Sequence, residues 1–251
     1  MCFFEPGAPD CYNHTMPSSL LHTVLIITIA IPPILFAIVV HEVSHGWVAK
    51  KLGDNTAYML GRLTLNPFKH IDPVGTVLVP LLMLFFTKII FGWAKPVPVD
   101  WRNLHNPRRD MVLVAAAGPV SNLVMAIGWG LFIHLVALLP DNLLIVKEAF
   151  VIMCAIGITA NVVLMVVNLL PIPPLDGGRV AVGLLPPRFS RLLSQLEPYG
   201  LIIIVVLLVS GFFRGYVMPL IFSVIGVIEI ITGLAKGSVL SVIIALLQAG
   251  Q

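Results

Sequence analysis

The chain has 251 residues, of which 58% are hydrophobic and 11% charged. Soluble globular domains run at about 45–50% and about 25%, so the composition excludes an ordinary soluble protein and points to a membrane one. A net charge of +3, dispersed over a few loops, excludes a nucleic-acid-binding footprint.

Residues 1–19 are polar, carry Pro6, Pro9 and Pro17, and contain no Lys or Arg. They lack the basic region and small-residue cleavage site of a signal peptide, so the first apolar segment is expected to stay in the mature protein. Cys2 and Cys11 could pair if this head faces an oxidising compartment. Cys154 sits in an apolar run and reads as a small core residue. No C-x-x-C spacing exists, which argues against a cysteine metal site.

Residues 20–40 form the first apolar stretch, long enough to span, with Pro32 and Pro33 predicting a kink. The stretch runs directly into His41-Glu42-Val43-Ser44-His45 and then Lys50-Lys51. Further apolar stretches cover 74–93, 111–139, 149–170, 199–213 and 215–234, with a short apolar tail after Lys236. The loops between them hold most of the Lys and Arg. No soluble-domain linker or internal repeat is visible.

The H-E-x-x-H pattern carries the chemistry. Residues four apart share one face of a helix. Two imidazoles so placed can bind zinc, with the adjacent Glu42 as general base. Ionisable groups at membrane depth are costly unless partnered, and a metal ion is a good partner. A hydrolytic zinc site needs a third protein ligand and an open position. Asp176 is one candidate, in a proline- and glycine-rich turn after the fourth long stretch. Glu229, inside the last stretch, is the rival, although a polar contact within the bundle explains it better. His134 is a lone histidine that reads as a hydrogen-bonded packing residue.

These residues match a family. The chain resembles the site-2 protease family of intramembrane metalloproteases, which combine H-E-x-x-H with a later N-x-x-P-x-P-x-L-D-G motif. Here the second motif runs from Asn168 through Pro171, Pro173, Leu175 and Asp176 to Gly177, with every fixed position matched. Gly118-Pro119-Val120-Ser121-Asn122 is similar to the family's G-P-x-x-N element. The resemblance covers about residues 25–180. It implies one zinc ion per chain, held by His41, His45 and Asp176, and an active site lined by Asn122 and Asn168. Those amides could hold the substrate backbone or help stabilise the oxyanion, or bond between helices. Neither a PDZ-like insertion nor a nucleotide-sensing domain is visible, so the chain reads as a compact, membrane-only form. The implied substrate is a membrane protein or membrane-anchored peptide.

The expected fold class is an all-α polytopic membrane protein with about five to six transmembrane helices. It is divided into a non-cytoplasmic head (1–19), a catalytic membrane core (20–180) and C-terminal helices with a tail (181–251). Ligands at the ends of the first and fourth stretches must meet, which requires an even number of crossings between them. If 74–93 is re-entrant or interfacial, nearly all cationic loops fall on one side, the cytoplasm, and the N-terminus lies outside. Residues 92–99, with Trp93 and Val97, read as an extended edge strip that could bind an unwound substrate by strand addition. The compact design suggests a bacterial or archaeal cytoplasmic membrane. A metal-binding transporter or an inactive protease-like scaffold is the alternative. The transporter would want distributed acids and several broken helices, and an intact Glu42 argues against the scaffold.

Overall fold

The computed structural model describes residues 19–79, 81 and 95–249. Among these residues the chain forms nine α-helices and no strand. Helix α1 (Ser19–Lys51) continues unbroken through Pro32 and Pro33 into the histidine motif. At ~1.5 Å per residue it is about 50 Å long, more than the ~30 Å hydrocarbon core requires. Gly53 then turns the chain at φ +112°, where a side chain would strike the Asn103 carbonyl and the His105 ring. The short α2 (Thr56–Met59) follows.

Helix α3 (Pro107–Ala137) starts with proline at its first turn, where the missing N–H is no loss. The buried Asp110 carboxylate accepts the Asn106 N–H at 2.7 Å and closes that end. Helix α4 (Leu144–Asn168) stops where Pro171, Pro173 and Pro174 forbid its continuation. The remaining helices are α5 (Asp176–Leu184), α6 (Pro187–Ser194), α7 (Gly200–Val209), α8 (Met218–Thr232) and α9 (Ser238–Ala249).

Five helical stretches are long and apolar enough to cross a bilayer: Val24–Lys51, Pro107–Ala137, Asp141–Asn168, Pro187–Val209 and Phe213–Thr232. The protein is thus an all-α, polytopic integral membrane protein. The fifth apolar stretch proves longer than its composition suggested, because α6 with Arg188 and Arg191 leads into α7. The apolar tail forms α9. Most of the 74–93 segment, together with Trp93, Cys2 and Cys11, lies outside the described residues. Residues 95–100 run without helix or strand, and Lys95 donates its N–H to the His70 carbonyl at 2.9 Å.

The chain divides into two compact units, one of residues 35–122 and 164–212, the other of residues up to 34, 123–163 and from 213 onward. The second unit contains the two polar residues that the sequence reads as packing contacts, His134 and Glu229. His134 Nε2 donates to the Thr232 carbonyl at 2.7 Å, so this histidine is a packing residue. Glu229 is buried and accepts the N–H groups of Gly237 at 2.7 Å and Val239 at 2.9 Å. Its carboxylate satisfies the otherwise orphaned start of α9.

In the first unit, Asp54 is fully buried just beyond α1. It accepts from the Thr56 N–H (3.0 Å), the Thr56 hydroxyl (2.5 Å), the Asp100 N–H (2.8 Å) and the Asn103 amide (3.1 Å). Burial pushes its carboxyl pKa up, but these donors outweigh burial and hold it below the ordinary 3.8. A depressed folded pKa gives stability that is complete above the unfolded value and lost as pH falls through the folded one. Asp54→Ala is expected to destabilise the protein by about 1–3 kcal/mol through the donors it strands. Thermal melts in detergent at neutral pH should show the loss, and the difference from wild type should shrink on acidification.

Candidate metal centre

Every residue of the candidate centre belongs to the first unit. His41 and His45 lie one helical turn apart near the end of α1, with rings edge-on at 84° and centroids 4.7 Å apart. Their Nε2 atoms approach to 3.1 Å. Asp176 opens α5, and its Oδ2 lies 3.2 Å from His41 Nε2 and 3.3 Å from His45 Nε2. All three side chains are buried.

The opposite edge of each ring fixes where its proton sits. His45 Nδ1 is 2.7 Å from the Val114 carbonyl, which can only accept, so Nδ1 carries the hydrogen. His41 Nδ1 is 2.5 Å from Asn122 Oδ1. The Asn122 amide nitrogen donates to the Ala37 carbonyl at 3.3 Å, which orients the amide so that its oxygen faces the ring. Both neutral imidazoles therefore point Nε2 lone pairs into one space. The Asp176 carboxylate faces the same space. Its Oδ2 is buried and receives no hydrogen bond. Three electron-pair donors thus converge on one spot with no proton assigned to any contact.

This donor set fits zinc. A tetrahedral ion with ~2.0–2.1 Å bonds has ligand–ligand edges of about 3.3–3.4 Å, close to the 3.1, 3.2 and 3.3 Å separations here. Nitrogen, nitrogen and carboxylate oxygen are the ligands of many hydrolytic zinc sites, which leave the fourth position open. Hydrogen bonds from the remote ring nitrogens to acceptors are the usual support of such ligands.

Small residues make the approach possible. A methyl group at Gly118 of α3 would collide with both imidazoles. Methyl groups at Gly177 and Gly178 would enter the backbone of Leu169–Leu170 and Ile172–Pro173, and one at Gly200 would enter Pro173 and Pro174. The turn that aims Asp176 is thus packed backbone against backbone.

Of the other residues singled out in the sequence, Glu42 is half-buried beside His41, and its Oε2 accepts the Val97 N–H at 2.8 Å. Val97 is itself buried and lies over Gly46, where a methyl group would displace it. The structure therefore brings Glu42, Asn122 and Val97 to the site. Asn168, at the end of α4, donates to the Leu164 carbonyl at 2.9 Å, a bond within its own helix. Sequence reasoning missed the Val114 carbonyl and the Val97 amide, since backbone groups leave no mark in a sequence. It noticed Gly118 only as part of a motif.

Comparison with known proteins agrees with this geometry. The model of peptidase family M50 matches residues 142–212, the part that holds Asp176. The Bacillus subtilis (strain 168) protein named "Putative zinc metalloprotease YwhC" is 43% identical over 178 residues, 70% of this chain and 78% of that protein. Proteins named "Putative zinc metalloprotease Rip2" from Mycolicibacterium smegmatis and Mycobacterium tuberculosis (strain H37Rv) are each 30% identical, over 75% of this chain and 69% of theirs. No solved structure matches the chain. With relatives of this identity and coverage, the chain belongs to peptidase family M50, the site-2 proteases.

Proposed function

We propose that this membrane zinc metalloprotease holds its metal through His41, His45 and Asp176, uses Glu42 as general acid/base, and cuts membrane-protein substrates at or just inside the bilayer. The convergence of three buried electron-pair donors carries the reading. Zinc at this position supplies Lewis acidity, which brings water deprotonation near neutral pH and polarises the scissile carbonyl. Glu42 takes the proton of the attacking water and returns one to the leaving amine. Its Oε2 already accepts the Val97 amide, so the proton transfer falls to the other oxygen. Asn122 orients His41 through Nδ1 and borders the site, where its amide is also available to the substrate backbone. Asn168 stands at the end of the same helix that leads to Asp176 and is assigned to substrate contact, as is Trp93 of the strip, whereas Val97, buried and bonded to Glu42, is assigned to holding that carboxylate. A metal-conducting role fits less well, because the rival acid Glu229 is committed to α9.

The metal site also bears on topology. His41 and Asp176 meet, and two spanning stretches, Pro107–Ala137 and Asp141–Asn168, separate them among the described residues. That even count supports five crossings, with the N-terminus outside and the active site towards the cytoplasm. The side rich in Lys and Arg is then cytoplasmic, as in a bacterial or archaeal inner membrane. A topology reporter inserted beside Arg102 should read as cytoplasmic, and an external reading defeats the five-crossing arrangement.

Three variants test the chemistry. Purified Glu42→Gln should bind zinc at wild-type stoichiometry yet lose about 10²–10⁴-fold in cleavage of single-span substrates. Loss of zinc together with cleavage would instead make Glu42 a structural residue. Val97→Pro removes the amide hydrogen that holds Glu42, and Val97→Ala keeps it. The proline variant should lower turnover with zinc content unchanged, while the alanine variant stays near wild type in turnover. Equal losses in both would assign Val97 to packing alone.

A further inference from the structure

Helix α1 is long and apolar enough to cross the membrane and ends at Lys51, which puts the residues after it near the membrane surface. These residues do not look like an ordinary water-exposed loop. Met59 is 80% exposed, Phe68 78%, Leu60 63% and Leu65 60%. Four large apolar side chains within ten positions would each lose favourable transfer energy if left in water.

The charges of the same segment are one-sided. Between residues 52 and 81 the only acids are Asp54 and Asp72. Asp54 is buried, and Asp72 accepts the N–H groups of Val74 and Gly75. Lys50, Lys51 and Lys69 take part in none of the ion pairs found among the described residues. Lys50 instead sits over the Tyr58 ring at 3.3 Å, and Lys51 lies 5.4 Å from the Trp47 ring. Exposed apolar groups beside lysines without carboxylate partners fit the boundary between acyl chains and anionic headgroups.

The segment is also held in place rather than hanging free. Arg62 donates to the carbonyls of Lys95 (3.1 Å) and Pro96 (3.4 Å), and the Lys95 N–H donates to the His70 carbonyl at 2.9 Å. His70 is buried, with its Nε2 bonded to the Thr64 carbonyl at 2.9 Å. Arg62 therefore points inward as a tie, which leaves the lysines as the outward cations.

We propose that residues 56–71 are an interfacial anchor that seats Met59, Leu60, Leu65 and Phe68 in the bilayer boundary and Lys50, Lys51 and Lys69 against anionic lipid headgroups. The anchor is bonded to the strip whose Val97 amide holds Glu42. It is independent of how the metal is bound, and its test requires no cleavage.

Spin labels on Met59→Cys, Phe68→Cys and Lys69→Cys, in a Cys2→Ser/Cys11→Ser background, would be measured in the full chain. The protein would be reconstituted in nanodiscs of phosphatidylcholine alone or mixed with phosphatidylglycerol. Labels at 59 and 68 should relax more with oxygen, which concentrates in lipid, than with a water-soluble nickel chelate. The label at 69 should be more accessible to nickel than either. Adding phosphatidylglycerol should raise the oxygen-to-nickel ratio at 59 and 68. A Lys50→Gln/Lys51→Gln variant should lose that rise while keeping its melting temperature. Nickel-dominated relaxation at both positions in both bilayers overturns the anchor. Protection from both reagents overturns it in favour of a protein partner, and a rise that survives in the lysine variant overturns the headgroup contact.

Discussion

The centre of this molecule is the close approach of three buried electron-pair donors in a geometry that fits a divalent cation. Two imidazole lone pairs and a carboxylate oxygen sit within 3.1–3.3 Å of one another, away from bulk water. Each ring has given its proton direction to a different acceptor, the Asn122 amide oxygen or the Val114 carbonyl. A divalent ion satisfies all three donors at once. The surrounding fold can be understood as the means of keeping these groups close when their own repulsion would part them.

That means is mostly the absence of side chains. Gly118 lets α3 lie against the two rings, and Gly177, Gly178 and Gly200 let the turn before and after Asp176 close on its own backbone. Glycine loses more conformational freedom on folding than any other residue, so four such positions around one centre carry a stability cost. Burial elsewhere offsets it. The unit that holds the site has its own apolar cluster of Ala49, Leu104 and Val114. Val114 contributes to both, its side chain to the cluster and its carbonyl to His45.

Much of this was legible in the sequence, for a physical reason. Histidine, glutamate and aspartate are so expensive in apolar surroundings that their positions stand out against the long hydrophobic stretches. That contrast marked His41, His45 and two rival acids, Asp176 and Glu229, and the family resemblance chose Asp176 between them, while the helices followed from the length of the stretches. What could not be read is what the backbone does. The Val114 carbonyl and the Val97 amide are present at every residue, so nothing in the residue types singles them out. Glu229 shows the converse: an acid in an apolar helix was visible as unusual, but its partners are main-chain N–H groups at the start of α9. Only the fold distinguishes it from a metal ligand.

The use of a main-chain amide to hold Glu42 has a consequence for how such a site can be built in a membrane. A general base needs one fixed oxygen and one free oxygen. A cationic side chain could supply the fixing bond, but it would add a second buried charge and draw the carboxylate away from the metal side. The Val97 N–H is neutral, short and already part of the chain that must pass this point. It can pass so close because Gly46 leaves the adjacent surface of α1 bare. Its other neighbours, Lys95 and Pro96, are bonded through their carbonyls to Arg62, outside the centre. The positive charge that steadies the strip is thereby kept outside the centre, bonded to main-chain carbonyls. The carboxylate proposed for the proton transfer is thus held by a main-chain dipole.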